Sequence, residues 1–323
     1  MSDSFKIDYL NFTHKHPEDL NPFAVLRRAI ATVQEFSQGL EFGEITDKGL
    51  HGYSWSCAVT VKETGAQAGF LAAGGANFGT VFYTFNGKGC RHVSQYGVYA
   101  LLNRLGGRVT RLDIAYDDLE GKRTPMDVRD AYRAGEFKNR GQTPKHDMAG
   151  PWESPEHWGD GLTFYVGKRD TGRMLRVYHK GRQLGDPHSP WVRFEVELTR
   201  KKRDIPLAAL LDLQGAFIGA YPWLEWAAEE EGAPIGMVAQ EEQKISVNHL
   251  ISHAKRSYGK LLSVLTSLKC SPEHIVGVLS SVGTPRRLDR RYLRREHVTD
   301  SIKFDGAQHA LLDVSTGEIL SMA

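Results

Sequence analysis

The chain has 323 residues, a length that suits roughly two domains, and its 41% hydrophobic content is enough to bury real cores, with Gly and Pro too ordinary for disorder or collagen-like repeats. Forty-one Lys and Arg against 39 Asp and Glu leave a net charge of only +2, so a nucleic-acid partner can be argued only from where the charges sit. Three scattered cysteines (Cys57, Cys90, Cys270) exclude a disulfide framework or a zinc cluster; the start MSDSFKIDYL has no signal-peptide pattern, and no run of about 18 apolar residues occurs. The expectation is a cytoplasmic protein with no membrane partner.

In chain order, Ile7 to Thr13 has strand character, and Asn21-Pro22 opens a helix running to about Gln38 before Gly39. Strands follow at Tyr53 to Val61, Gln67 to Ala73 and Thr80 to Phe85, and Gly74 to Gly79 reads as a hairpin connection. Ser94 opens a second helix closed by Gly106-Gly107, Thr110 to Tyr116 is a strand, and Thr124-Pro125 opens a third helix closed by Gly135. Strands then recur at Leu162 to Gly167, Met174 to Lys180 and Trp191 to Leu198, and Asp204-Ile205-Pro206 opens a helix through about Leu213.

The order strand, helix, three strands, helix occurs twice, beginning near Asp8 and again near Asp113. This predicts an α+β fold of two similar units, each an antiparallel sheet with helices on one face, as an internal duplication would give. The expected domains are 1–108, 109–221 carrying the catalytic strands, and a basic helical region over 222–323. In that last region Val247, Leu250, Ile251, Ala254, Tyr258, Leu261, Leu262, Leu265 and Leu268 recur at helical spacing, and Ser271-Pro272 and Thr284-Pro285 open two further helices. From His253 to Arg295 ten Lys and Arg face two acids, so Arg286, Arg287, Arg290, Arg291 and Arg294 suit phosphate contacts as well as they suit a solvated face.

Chemistry concentrates in three strands. Period-two alternation in RMLRVYHKG sets Arg176, Tyr178 and Lys180 on one face, where cations would favour a phenolate and bind a phosphate beside it. In TRLDIAYDD, Asp113 and Asp117 share a face, and in WVRFEVEL so do Glu195 and Glu197. Carboxylates pointing to one side repel unless a divalent cation such as Mg²⁺ or Mn²⁺ sits between them; pairing with Arg111 and Arg193 is the alternative. Between Lys168 and Arg203 eleven Lys and Arg face four acids, and Lys168 and Arg169 are further candidates for DNA contact. Asp118 and Glu120 read as turn residues. No phosphate-binding G-x-x-x-x-G-K-[ST] loop occurs, and His14-Lys15-His16 lacks the central apolar residue of a two-histidine nicking motif.

The stretches IDYLNFT, GTVFYTFNGKGC and GGRVTRLDIAYDD, and above all the ordered set R-L-D, R-V-Y-x-K-G and R-F-E-x-E-L, resemble the replication initiation factor family over about residues 5 to 215. Members start rolling-circle replication of filamentous phages and small plasmids, with relatives among conjugative relaxases. The resemblance implies a metal-dependent DNA nicking and joining enzyme that forms a 5′-phosphotyrosine. Its tyrosine falls on Tyr178 and its metal-binding acids on Asp113 and Glu195, with Glu197 added by its shared face. The implied partners are double-stranded origin DNA, as such or as an extruded hairpin, the nicked strand, and a host helicase and polymerase; a homodimer is compatible with the chain. A non-catalytic DNA-binding regulator on the same scaffold is the first alternative, and a carbohydrate hydrolase using Asp113 and Glu195 the second.

Overall fold

In the computed structural model, residues 4–16, 21–77, 79–138, 141–201, 203–228, 233–239, 247–280, 311–312 and 319–320 are described. The chain divides into two compact units, 1–240 and 241–323.

The first unit is built on one antiparallel sheet of ten strands. They are β1 (Phe5–Lys15), β2 (Leu40–Thr46), β3 (Trp55–Val61), β4 (Gln67–Ala73), β5 (Thr80–Asn86), β6 (Arg108–Asp118), β7 (His146–Ala149), β8 (Thr163–Lys168), β9 (Arg173–His179) and β10 (Val192–Thr199). The spatial order is β2-β3-β4-β5-β1-β6-β10-β9-β8-β7. It reads the same outward from the central β1–β6 pair, with β5, β4, β3, β2 on one side and β10, β9, β8, β7 on the other. The sheet therefore runs without a break across the junction near residue 108.

Alternation decides the two faces. Leu10, Phe12, Tyr83, Phe85, Leu112, Ile114, Phe194, Val196 and Val177 point to one side and join a single buried cluster. The apolar stripes of α1 (Pro22–Glu35) and α3 (Gln95–Leu105) and the core residues of α4 (Pro125–Ala134) cover that side, through Leu26, Val33, Leu102 and Val128. The helix punctuation works as read. Asn21, Ser94 and Thr124 accept from backbone N–H groups at the helix starts, and Gly106 and Gly135 end α3 and α4 in the left-handed conformation.

Short helical turns complete the unit: α2 (Gly87–Cys90), α5 (Lys180–Gln183) and α6 (Leu213–Ile218). The helix expected from Asp204 to Leu213 forms differently. Leu207–Leu210 makes a 3-10 turn, and α6 begins only after Asp212, whose carboxylate caps Gly215. The second unit contains α7 (Val247–Ser267) and α8 (Pro272–Leu279), the latter capped by Ser271. The helix expected after Thr284-Pro285 lies outside the described residues.

Candidate active site on the open sheet face

The face opposite the helices carries the charged residues of β6, β9 and β10. Register places Glu197 opposite Asp113, Arg193 opposite both Asp117 and Tyr178, and Glu195 opposite Arg176. Directly opposite side chains in an antiparallel pair have Cβ atoms about 4.5–5.5 Å apart. Sequence-distant groups thus meet across three strands in three successive rows: Tyr178–Arg193–Asp117, Arg176–Glu195 and Glu197–Asp113.

Tyr178 is 7% exposed, yet it lies outside the hydrophobic clusters and is walled by charge. The Arg176 guanidinium sits 4.9 Å from its ring centroid and the Lys180 ammonium 5.7 Å. The strand reading was wrong about Lys180: β9 ends at His179, and Lys180 opens α5, from which its ammonium still reaches the ring and donates to Gln183 Oε1 at 2.9 Å. The expectation of a favoured phenolate is also corrected. Burial, then Glu195, pushes the phenol up to about 12, outweighing the pull of Arg176 and Arg193.

The acids are not solvated. Asp113, Glu195 and Glu197 are 2%, 6% and 3% exposed. Arg111 grips Asp113 through Nε at 2.8 Å and Nη2 at 2.6 Å and reaches Glu197 at 3.2 Å. Arg169 donates to Glu197 at 2.9 Å, and Arg176 donates to both oxygens of Glu195 at 2.7 and 2.5 Å. Arg169, expected to contact DNA, therefore already serves a buried carboxylate, whereas Lys168 is exposed at the end of β8. Arg286, Arg287, Arg290, Arg291 and Arg294 lie outside the described residues.

Among the described residues no three His, Cys, Asp or Glu converge closely enough to hold a metal ion between them. The donor set nevertheless fits a hard divalent cation in kind. Burial, then Glu197 and Glu195, raises Asp113 to about 7 against the pull of Arg111. Three buried carboxylates, one held above the usual carboxylate range, are oxygen donors of the kind such a cation takes, although in this structure each is paired with an arginine.

A second ionic cluster adjoins the first. Arg193 donates to Asp117 from Nε at 2.7 Å and Nη2 at 3.0 Å, and to Asp8 of β1 from Nη1 at 3.2 Å. Asp117 also accepts from the Trp191 indole at 2.8 Å and pairs with Lys6. Sequence reasoning identified Arg111 and Arg193 only as alternative partners for acids, and did not find Asp8 as a site residue. Asp8 sits at a register shift between Ile7 and Tyr9, an irregularity that alternation cannot show. Asp118 behaves as a turn residue, accepting from the backbone of Glu120 and Arg123.

The comparisons with known proteins agree with this architecture. A search of curated proteins finds no match. A solved structure described as a rolling circle replication initiator protein from Geobacillus stearothermophilus superposes with a TM-score of 0.51 at 23% identity, covering 68% of this chain and 85% of that one. At that identity the likeness speaks for the fold, a mixture of helices and antiparallel sheet. Residues 107–230, from β6 past β10, match the family model described as replication initiation factor.

Proposed function

We propose that the protein is a metal-dependent, origin-specific DNA nicking and joining enzyme that initiates rolling-circle replication, with Tyr178 as its nucleophile. The family match supports a part in replication initiation. The observation that carries the finer reading is the position of Tyr178: on the open face, directly opposite Arg193, under Arg176 and next to Glu195, the nearest of the three buried carboxylates. The matching strand order outward from β1–β6 supports reading the two halves as copies of one unit.

At rest the phenol is protonated, since burial holds its pKa near 12. As Tyr178 Oη attacks the scissile phosphorus it gives up its proton to water, and Arg176 and Arg193, the cations that pull on this phenol, stabilise the developing charge. Lys180, beside the ring, neutralises a non-bridging phosphate oxygen. The Oη–P bond forms, the P–O3′ bond breaks, the departing 3′ oxygen takes a proton from water, and the products are a 5′-phosphotyrosyl protein and a free 3′-hydroxyl that a polymerase can extend. Asp113, Glu195 and Glu197 are the residues that would hold Mg²⁺ or Mn²⁺, which when bound polarises the scissile phosphate. Because the phosphotyrosine conserves the bond energy, a later hydroxyl can reseal the strand without ATP, which suits a sequence without a phosphate-binding loop.

The test is Tyr178→Phe, assayed on supercoiled origin DNA with Mg²⁺ or Mn²⁺ and with EDTA. The wild type retains label covalently only with the metal, and the variant keeps origin binding but loses the adduct. An adduct that survives Tyr178→Phe overturns the reading, and a wild type that binds without ever nicking points to the DNA-binding regulator.

A further inference from the structure

The sequence family covers residues 107–230, yet the charged row that ends at Tyr178 begins on β1, in the first half of the sheet. We propose, on the reading of Tyr178 as nucleophile, that Asp8, supplied by the first half, is a positioning residue that holds the charge-stabilising Arg193 in place for the strand-transfer step.

Four observations support this. Arg193 is 5% exposed and its backbone stands directly opposite Tyr178 across β9–β10, close enough for its charge to act on the phenol. Its orientation is fixed from two strands: the two-pronged bond to Asp117 of β6 and the third bond, at 3.2 Å, to Asp8 of β1. Between them stands Ala115 of β6, opposite Lys6 on β1 and Glu195 on β10, whose small side chain leaves room for Asp8 and Arg193 to meet over the sheet. Finally, the register of β1 on β6 slips between Ile7 and Tyr9, so that Asp8 is the extra residue, and Gly87 packs against it: a Cβ there would stand 2.9 Å from Asp8 Oδ1. Bulges of this kind re-aim side chains beside functional sites.

Arg193 is thus the group through which the first half acts on the reacting centre. Unlike Arg176, which is drawn onto Glu195, Arg193 is held by acids outside the Asp113–Glu195–Glu197 set. A guanidinium held in this way loses little further freedom when charge develops on the adjacent phenol oxygen. Without the negative charge of Asp8 the third bond weakens, and Asp117 alone is left to anchor the guanidinium.

The full-length chain with Asp8→Asn tests this. The Asp8 side chain is about a third exposed, so the substitution is compatible with folding. At saturating origin DNA the rate of covalent adduct formation should fall between about 10- and 100-fold, while origin affinity and thermal midpoint stay unchanged. As a second variant, Arg193→Ala should lose the adduct and regain part of it on addition of guanidinium at concentrations too low to unfold the protein. An Asp8→Asn protein that forms adduct at the wild-type rate overturns the proposal, as does one in which adduct, affinity and thermal midpoint fall together. So does a folded Arg193→Ala protein on which guanidinium has no effect. If instead Tyr178→Phe keeps the adduct, the nucleophile assignment has failed, whatever Asp8→Asn shows.

Discussion

Histidine 179, one residue beyond the proposed nucleophile, shows how little of a side chain's state alternation reveals. Its place on the face opposite Tyr178 followed from period two, but not its bond: the backbone N–H of Leu162 donates to Nδ1 at 3.1 Å. Burial and the neighbouring Arg182 hold its pKa down at about 4, against an ordinary 6.5. The folded state therefore stays neutral where the unfolded chain takes a proton, so nothing is lost above pH 6.5 and stability falls as pH drops from there to 4. Thermal melts across that range should show the decline, and His179→Gln should flatten it. An unaltered slope in the variant would locate the acid sensitivity elsewhere. The same limit applies to Tyr178 and its acids. Their types and shared face could be read from RMLRVYHKG and WVRFEVEL, but the strength of burial, which raises Tyr178 and Asp113 rather than leaving them to their charged neighbours, depends on packing that no spacing encodes.

At the scale of elements, what was legible was what alternation and punctuation write locally. Strands with one apolar face, such as β6 and β10, and helices with a capping side chain and a closing glycine were found where they stand. The two outermost strands were missed for a physical reason. β2 and β7 each have a neighbour on one side only, β7 is exposed along its whole length, and Gly43 and two glutamates interrupt β2, so neither shows a clean buried stripe. Gly167 marks a different kind of constraint. It lies in β8 with φ +85°, and a Cβ there would meet the Tyr221 hydroxyl at 2.3 Å and the Arg173 carbonyl oxygen at 2.4 Å. That hydroxyl donates to Val166 O at 3.0 Å and ties the end of β8 to the segment after α6. Gly167→Ala should cost about 1–3 kcal/mol or more in denaturant unfolding, because strain and the displaced tyrosine act together. A loss under about 0.5 kcal/mol, the scale of an ordinary surface substitution, would mean that the strand adjusts freely.

Across the whole first unit, one ten-stranded sheet keeps its helices to one side and divides its other face by chemistry. On the first half that face carries the stacked rings of Tyr53 and Phe82. On the second half it carries the carboxylates, guanidiniums and tyrosine of the proposed site, and Arg193 with Asp8 joins the two. The twofold run of predicted strands made this plan partly readable, and the near-neutral total charge concealed it, since the basic residues lie against buried acids rather than in an open patch. Every step of the proposed chemistry passes through one oxygen. The most direct measurement is therefore to trap the protein on 5′-labelled cleaved origin strand, digest the conjugate and identify by mass spectrometry the residue that carries the nucleotide. The account predicts the phosphoryl group on Tyr178, within the segment RVYHK; a nucleotide found on Tyr165, on any other side chain, or on none would contradict it.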